Sequence, residues 1–409
     1  MRVTFNMKYD QSVNAITSTQ EKLMQASARL ERQTKILTPA DDPSGAARGI
    51  ALDQSITQTD QYQTNNKAVK NSLNLQETVI TSIKGSVQQA RTLALSLGNG
   101  SYSVDDRKSV TTQLENIRDQ VFDLMNSRDE LGGFLFSGFK DQTQSYSLNK
   151  ATGKYEFKGD EGVKELKVAL SVSIPANASG KTVFEGIDKR FETTAPVVTA
   201  PVTATTVDVT NQSVFDSFFR QNYDATATGD NSVRVALTAG APDTYEVFVG
   251  GSAVAAASGP FVAGEAIEFQ GMSIAMDAAV VGGQVEFDLA PPEKTNILDT
   301  LTELINQVNS GISDEQLSEV VKDAIAEMDK ASLKMGYAQS AVGGSINVLD
   351  SIFGSNEDLQ IATKSHRADV VEIDYVEAIT ELTKQETALE AAQATFSKVT
   401  ALSLFDYIR

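Results

Sequence analysis

Apolar residues recur at alternating spacings of four and three positions along three long segments of the chain. These segments cover residues 69–97, 110–131 and 317–352. Sustained spacing of this kind lines the apolar side chains along one side of a helix and is typical of helices packed as a coiled coil or antiparallel bundle. The sequence therefore predicts three long helices that pack through these stripes.

The two ends of the chain carry weaker versions of the same pattern, because polar residues interrupt the apolar ones. The first seam contains Tyr9, Val13, Ile16, Leu23, Leu30 and Leu37, and the second contains Tyr375, Ile379, Leu382, Leu389, Phe396 and Tyr407. Residues 1–40 hold six basic and three acidic residues, whereas 370–409 hold three basic and seven acidic residues. Opposite charge and matching period predict that the ends pair with each other. Their half-polar seams predict that this pair needs further helices, and hence assembly, to complete its core.

Three sequence patterns resemble capping boxes and predict helix starts. They are Ser103 with Asp106, Ser313 with Gln316, and Ser355 with Asp358. Proline is absent from residues 44–174 and after Pro292, which leaves both parts of the chain free to form long helices.

The stretch LTPADDPSGAA, residues 37–47, separates the first seam from the first stripe. Pro39 should end the preceding helix because it restricts Thr38 to extended conformations. Asp42 suits an N-cap, and Pro43 suits the first position of the next helix. Asp41 and Asp42 could in principle act as an acid–base pair, but adjacent residues rarely aim both carboxylates at one point. We therefore interpret Pro39, Asp41, Asp42 and Pro43 as a hinge between a helix that orders on assembly and one that is folded beforehand.

The middle of the chain, residues 141–292, differs in composition and pattern. Ala, Val, Thr and Gly dominate, and alternating segments at 154–158, 245–249 and 266–269 predict short antiparallel strands. A Thr/Ala/Pro/Val-rich stretch at 193–206 has the composition of a linker, so whether this region is one module or two stays open.

The predicted fold is a multi-domain α+β protein. Both chain ends form a discontinuous long-helix coiled-coil or bundle, and a mostly antiparallel β domain is inserted between them. We expect a terminal domain of residues 1–40 and 370–409, a bundle of 41–140 and 293–369, and a β domain of 141–292.

Composition argues against several function classes. The chain has 409 residues, a net charge of −19, no cysteine and one histidine, His366. Nucleic-acid binding is disfavoured because phosphate contacts need clustered Lys and Arg. Disulfides, thiolate metal sites and multi-histidine metal sites are excluded. No apolar run reaches the roughly 18 residues of a membrane-spanning helix, and the N-terminus lacks the apolar core of a cleavable signal peptide. We expect no enzyme activity and no cofactor.

A glycine- and phenylalanine-rich segment, GGFLFSGF, follows the second stripe at residues 132–139. It contains Phe134, Phe136 and Phe139. One interpretation is a strand or turn that covers the end of the bundle, and the other is a surface that contacts a neighbouring subunit.

Three motifs resemble the flagellin family, and within it the proteins that join the hook to the filament. They are LTPADDPSGAARGIAL at 37–52, GGFLFSGF at 132–139 and LSLFDYIR at 402–409. The resemblance covers residues 1–140 and 295–409. A filament flagellin usually has a Gly- and Asn-containing stretch where this chain has Thr38-Pro39-Ala40. It also often ends in Leu-Leu-Arg-like residues, whereas this chain ends in Phe405-Asp406-Tyr407-Ile408-Arg409. Both differences favour a junction protein over a filament flagellin.

The resemblance implies a non-enzymatic structural protein of the bacterial flagellum. It would be exported unfolded through the type III apparatus, without a cleavable signal peptide, and would lie outside the cell at the hook–filament junction. It would form a homo-oligomeric ring between hook-associated protein 1 and flagellin, and an export chaperone would bind its C-terminal helix. Two alternatives stay open: a flagellin that forms the filament itself, and a surface adhesin that binds through the β insert.

Overall fold

The computed structural model describes residues 5–98, 102–202, 205–276 and 282–407. The helices within these ranges are α1 (Phe5–Arg32), α2 (Pro43–Leu97), α3 (Val104–Met125), α4 (Gly180–Phe184), α5 (Gln212–Asn222), α6 (Ile297–Asn309), α7 (Asp314–Val371) and α8 (Tyr375–Tyr407). The helical ends and the β-rich middle confirm the α+β fold predicted from the sequence.

The strands within the described ranges are short, and all of their pairings are antiparallel. They are β1 (Tyr146–Asn149), β2 (Lys154–Phe157), β3 (Glu165–Ala169), β4 (Val172–Pro175), β5 (Ile187–Asp188), β6 (Val197–Thr199), β7 (Thr205–Val209), β8 (Ser232–Thr238), β9 (Thr244–Val249), β10 (Ser252–Ala253), β11 (Gly259–Pro260), β12 (Ile267–Phe269), β13 (Met272–Met276), β14 (Gln284–Asp288) and β15 (Lys294–Thr295). The three predicted segments correspond to β2, β9 and β12.

The three apolar stripes lie on α2, α3 and α7, so the predicted long helices are confirmed. On α2, every stripe position from Val69 to Leu97 is buried, including the polar Gln76. The stripe on α3 stops earlier than predicted, because the helix ends at Met125 and Leu131 lies in an exposed turn. Burial of these stripes is the main apolar driving force for the helical parts of the fold.

Two of the three predicted capping boxes are present. The Ser103 hydroxyl accepts from the Asp106 amide, and the Ser313 hydroxyl accepts from the Gln316 amide. The third prediction was wrong, because Ser355 and Asp358 lie inside α7, which continues without a break to Val371. Both side chains are exposed there, while Leu349, Asn356 and Thr363 are buried at seven-residue spacing, so packing of the helix continues past the cap pattern.

Contacts between Cα atoms divide the chain into two compact units. The first comprises Met1–Asn71, Glu165–Pro175 and Ser345–Arg409, and the second comprises Ser72–Lys164 and Ala176–Gly344. The three domains expected from the sequence have different limits and stay a prediction.

In the first unit, α1 packs along α8, and the N-terminal half of α2 runs beside the C-terminal part of α7. The Asn66 amide nitrogen donates to the Leu349 carbonyl at 2.8 Å, and the Lys70 ammonium lies 2.5 Å from an Asp350 carboxylate oxygen. The β3–β4 hairpin belongs to this unit, where its Val168 carbonyl accepts a hydrogen bond from Asn356.

The second unit contains two separate apolar cores. The larger core joins α2, α3, α6 and α7 to β1, β2 and α4, with the aromatic rings of Phe136, Tyr146 and Phe184 fully buried. The smaller core lies within residues 202–289 and packs α5 against two sheets, ordered β10-β9-β8-β14-β6 (with β11 also on β9) and β12-β13-β7. We call residues 191–290 the β module.

Two features of the middle region differ from expectation. Within the stretch 193–206, the described residues do not form a free linker, because Val197–Thr199 pairs with β14 and Val202 is buried in the smaller core. Their β-branched side chains suit an edge strand, which tolerates nearby proline. Helix α5 was not predicted, although Phe215, Phe218 and Phe219 follow helical spacing and are all buried.

Candidate assembly surfaces

The pairing of the two chain ends is seen in the first unit, where α1 and α8 lie side by side. The rings of Tyr9 and Phe396 are 5.4 Å apart between centroids, with the ring planes tilted by 51°. Ala26 and Ala378 are the buried apolar residues of this pair within its described side chains, each 8% exposed. Two buried alanines are a small core for helices of 28 and 33 residues.

Most seam residues of α1 and α8 remain accessible. Tyr9, Val13, Tyr375 and Ile379 are exposed, and the half-buried members are Ile16, Leu23, Leu30, Leu37, Leu382, Leu389 and Phe396. The side chain of Tyr407 lies outside the described residues. The structure therefore brings the two predicted seams together without burying them.

The connection between α1 and α2 begins earlier than expected. Helix α1 ends at Arg32 rather than before Pro39, and Gln33 adopts a left-handed conformation with φ of 56°. Thr34 then bonds across to the end of α7, where its hydroxyl donates to the Val371 carbonyl at 3.0 Å. The Lys35 amide donates to the same carbonyl at 3.0 Å, so the chain is held at this point by backbone pairing.

Asp41 and Asp42 each accept hydrogen bonds from the local backbone. Asp41 accepts from the amides of Thr38 and Leu37 at 2.9 and 3.0 Å, and these bonds, the one from Thr38 most of all, lower the pKa of its carboxyl. Asp42 accepts from the Gly45 amide at 2.9 Å as the N-cap of α2, and this bond chiefly lowers the pKa of Asp42. Pro43 is the first residue of α2. These carboxylates organise a helix start, and the role of the segment as a hinge stays a prediction.

The phenylalanines of the GGFLFSGF segment occupy three different environments. Phe136 is fully buried in the larger core, so a neighbouring subunit could not reach it in this conformation. Phe134 is half-buried, with the Arg128 guanidinium 4.3 Å from its ring centroid. Phe139 is exposed, and so is Leu131 at the tip of the preceding turn, at 95%. Of the three rings, Phe139 is the one available for a subunit contact.

An ion-pair cluster that the sequence did not reveal holds the point where the chain enters the β module. Arg190 lies 2.6 Å from an Asp323 carboxylate oxygen and 3.2 Å from one of Glu319, both on α7. Its Nε atom also donates to Gln212 of α5 at 2.8 Å. Beside it, Lys189 pairs with Glu303 of α6 at 3.2 Å and with Glu293, which directly precedes β15, at 3.5 Å.

Two features of the sequence could have predicted this cluster. Lys189 and Arg190 are adjacent cations at the edge of a lysine-poor region, and the acids at 319, 323 and 327 follow the four-residue spacing of one helix face. Glu327 is buried and accepts from the Thr300 hydroxyl at 2.6 Å, and burial raises the pKa of its carboxyl. The cluster is suited to holding the β module on the helices.

The described residues give little support for a metal site or a membrane span. Among the residues that the structure describes, no group of three or more His, Cys, Asp or Glu side chains could hold a metal ion. No helix in the same part of the chain is long and apolar enough to cross a membrane.

Comparisons with known proteins agree with this architecture. Residues 3–141 match the model of the bacterial flagellin N-terminal helical region. Flagellar hook-associated protein 3 of Salmonella typhimurium and that of Escherichia coli are each 30% identical over 187 residues. The matched region covers 46% of this chain and 58% of each relative, so the chain matches little more than half of their length.

Solved structures extend the similarity of fold. Flagellar hook-associated protein-3 of Legionella pneumophila has a TM-score of 0.58 at 23% identity, covering 78% of this chain and 98% of that one. FlgL of Xanthomonas campestris has a TM-score of 0.57 at 23% identity, covering 78% and 99%. The resemblance to flagellar hook-associated protein 3, within the flagellin family, is confirmed by these findings together.

Proposed function

From the flagellin-type helical region at residues 3–141, we propose that this chain is a structural protein of the bacterial flagellum that forms the ring joining hook and filament. Its neighbours would be hook-associated protein 1 on one side and flagellin on the other. It works without catalysis, outside the cell, after export through the type III apparatus. A chaperone that binds α8 during export would cover the accessible seam.

One observation carries this proposal: the terminal helices α1 and α8 are paired but bury very little apolar surface between them. Ala26 and Ala378 are buried between α1 and α8, while Tyr9, Val13 and Ile379 remain exposed. A pair with so little buried apolar area gains little stability from its own packing. It becomes stable when terminal helices of neighbouring copies cover the same seams, which couples ordering to assembly.

The first test asks whether the terminal seam is needed for assembly. Leu389→Glu adds a charge to the half-buried seam of α8 and should block filament growth while export continues. Thr387→Glu adds the same charge at an exposed position of α8 and serves as the control, which should assemble normally. Deleting residues 375–409 should likewise block filament growth. Normal filament growth in the deletion variant would contradict the proposed mechanism.

A second test concerns location. An epitope tag placed in the turn at residues 150–153, which is exposed, should label one band at the outer end of the hook. Label along the whole filament would instead identify a filament flagellin.

A further inference from the structure

The two links that join the terminal helices to the rest of the first unit meet at one point. Residues 33–42 connect α1 to α2, and residues 372–374 connect α7 to α8. An isolated antiparallel bridge pairs Thr34 of the first link with Glu372 of the second. The chain therefore enters and leaves the α1–α8 pair through a single backbone contact.

Hydrogen bonds to one carbonyl close this contact. The Lys35 amide and the Thr34 hydroxyl both donate to the Val371 carbonyl, each at 3.0 Å. Val371 is the last residue of α7, where carbonyls have no partner inside the helix. The bonds from the first link satisfy one of these carbonyls. We call residues 34–36 together with 371–372 the clasp.

Two buried glycines in the first turns of α2 make room for the clasp. A Cβ atom at Gly49 would lie 2.8 Å from a methyl carbon of Val371, and one at Gly45 would lie 2.7 Å from the end of the Ile36 side chain. Contacts this short would push the apolar side chains of the clasp away from α2. Glycine lowers the stability of a helix interior relative to alanine, but it lets another segment approach closely. These glycines therefore seat both links against α2.

The packing between α1 and α8 is too sparse to fix how the two helices are aligned along each other. Ala26 and Ala378 are the buried apolar residues of the pair among its described side chains. Sliding one helix along the other by a turn, about 5.4 Å, would expose little apolar area that is now buried. The alignment must therefore be set by something other than this packing.

The alignment observed along the pair is the one that the clasp dictates. Tyr9 lies 25 residues before Thr34, and Phe396 lies 24 residues after Glu372. Nearly equal counts from the bridge bring residues of two antiparallel helices to the same height, because both helices rise by the same distance per residue. The rings of Tyr9 and Phe396 are accordingly 5.4 Å apart between centroids. A contact roughly 36 Å along the helices is thus in step with the clasp.

We propose that the clasp sets the register of α1 against α8 in the free chain, before any neighbour covers the seams. Pairing of the two links fixes the point from which both helices start. The apolar residues of the two seams then lie at matching heights and are presented together. The inference concerns the single chain, so it goes beyond the proposed function and does not depend on where in the flagellum the chain acts.

A pair of compensating substitutions at the seat tests this proposal. Gly49→Ala places a methyl group against Val371, and Val371→Ala in the same chain removes the methyl carbon that it meets. Gly85→Ala is the matched control, because a Cβ atom at this second glycine of α2 would meet nothing within 4 Å. Hydrogen exchange of the Lys35 amide reports closure, since this amide donates to the Val371 carbonyl. Its exchange should accelerate at least five-fold in Gly49→Ala and return to within two-fold in the double variant, with no change in Gly85→Ala.

Distances between spin labels report the register itself. The chain contains no cysteine, so nitroxides on Ser18→Cys of α1 and Thr387→Cys of α8, both at exposed positions, are the only labels. The otherwise unchanged full-length chain should give one narrow distance distribution. Gly49→Ala should broaden it by at least one helical turn, about 5 Å. Adding Val371→Ala should restore the narrow distribution, and Gly85→Ala should leave it narrow.

A second way of opening the clasp keeps the test decisive. Lys35→Pro removes the amide that donates to Val371 and should broaden the distribution as Gly49→Ala does. A distribution that stays narrow in both variants would overturn the inference, because the helices would then set their own register. So would a Lys35 amide that exchanges as fast as in an unstructured peptide in the unchanged chain. Neither result would bear on the proposed function, which the labelling of flagella tests separately.

Discussion

At the scale of single residues, short polar side chains and special backbone conformations fix where the helices begin and end. Asp42 caps α2, Ser103 caps α3 and Asn296 caps α6, in each case by accepting from an amide of the first turn. Such capping bonds satisfy amides that have no partner inside the helix. Gln33 ends α1 differently, because it takes the left-handed conformation that usually falls to glycine.

Replacing Gln33 with glycine should therefore stabilise the first unit. An L-residue with a side chain pays about 1 kcal/mol to hold a left-handed conformation, and glycine does not. Gln33→Gly should raise the free energy of unfolding by up to about 1 kcal/mol, measured by urea denaturation. Gln20→Gly, at an exposed position inside α1, provides the contrast and should lower it by about 1 kcal/mol. Equal effects of the two changes would contradict this account of Gln33.

Glu327 gives a pH-dependent prediction at the same scale. Burial raises the pKa of Glu327 above its unfolded value, despite the nearby Lys189 and the bond from Thr300. A raised carboxyl pKa favours folding below the unfolded pKa, and this contribution is lost as pH rises through the folded pKa. Glu327→Gln should therefore stabilise the protein at neutral pH, on the order of 1 kcal/mol, and have less effect at pH 4. Glu303→Gln, on an exposed carboxylate of the same cluster, should change stability by less than about 0.5 kcal/mol.

At the scale of elements, the β module depends on a narrow connection to the helices. The β5–β15 pair joins the outgoing and returning chain, and Lys330 of α7 donates to the Asp188 and Lys189 carbonyls at 2.8 and 3.2 Å. Arg190 then connects α7 to α5 through one guanidinium group. A single side chain thus contacts both the bundle and the module.

Arg190→Met should weaken this connection. The Arg190 side chain is only 13% exposed, so its removal leaves Asp323 without its close cation and Gln212 without a donor. We expect a loss of roughly 2 kcal/mol and faster proteolytic cleavage near residues 189–194. Lys181→Met removes an exposed ion pair with Glu161 and should cost less than about 0.5 kcal/mol. Resistance to protease equal to that of the unchanged chain would show that the ion pairs do not hold the module.

At the scale of the whole molecule, stability should be unevenly distributed. The bundle part of α2 contributes fully buried residues such as Ile83, Val87 and Ala90 to a large core, whereas α1 and α8 bury two alanines between them. Local opening is easiest where few apolar contacts form. The terminal pair is therefore the part of the free chain that should open first.

Hydrogen exchange on the free chain measures this difference. Amides of residues 8–32 should exchange at least a hundred-fold faster than those of residues 72–97, which corresponds to about 2.7 kcal/mol in opening free energy. In the assembled state, the amides of residues 8–32 should become protected. Equal protection of both segments in the free chain would contradict the proposal that the ends order on assembly.

The sequence by itself determined the helical framework. The alternating four- and three-residue spacing of apolar positions in α2 and α7 requires each helix to bury that stripe, because exposing so many apolar side chains to water is unfavourable. The pairing of the ends followed from opposite charge and matching period, and Asp42-Pro43 was identified as a helix start because local hydrogen bonding decides caps. The Ser355 pattern failed for the complementary reason: a local cap signal does not break a helix that tertiary packing continues to stabilise.

Only the tertiary structure decided which residues from distant positions meet. Arg190 finds Asp323 and Gln212 because the module returns to the bundle at that point, and no spacing in the sequence encodes this. Phe136 and Phe139 lie three residues apart in one motif, yet one is in the core and the other in solvent. Periodicity determines what each helix buries, whereas long-range packing determines which surfaces the finished molecule presents.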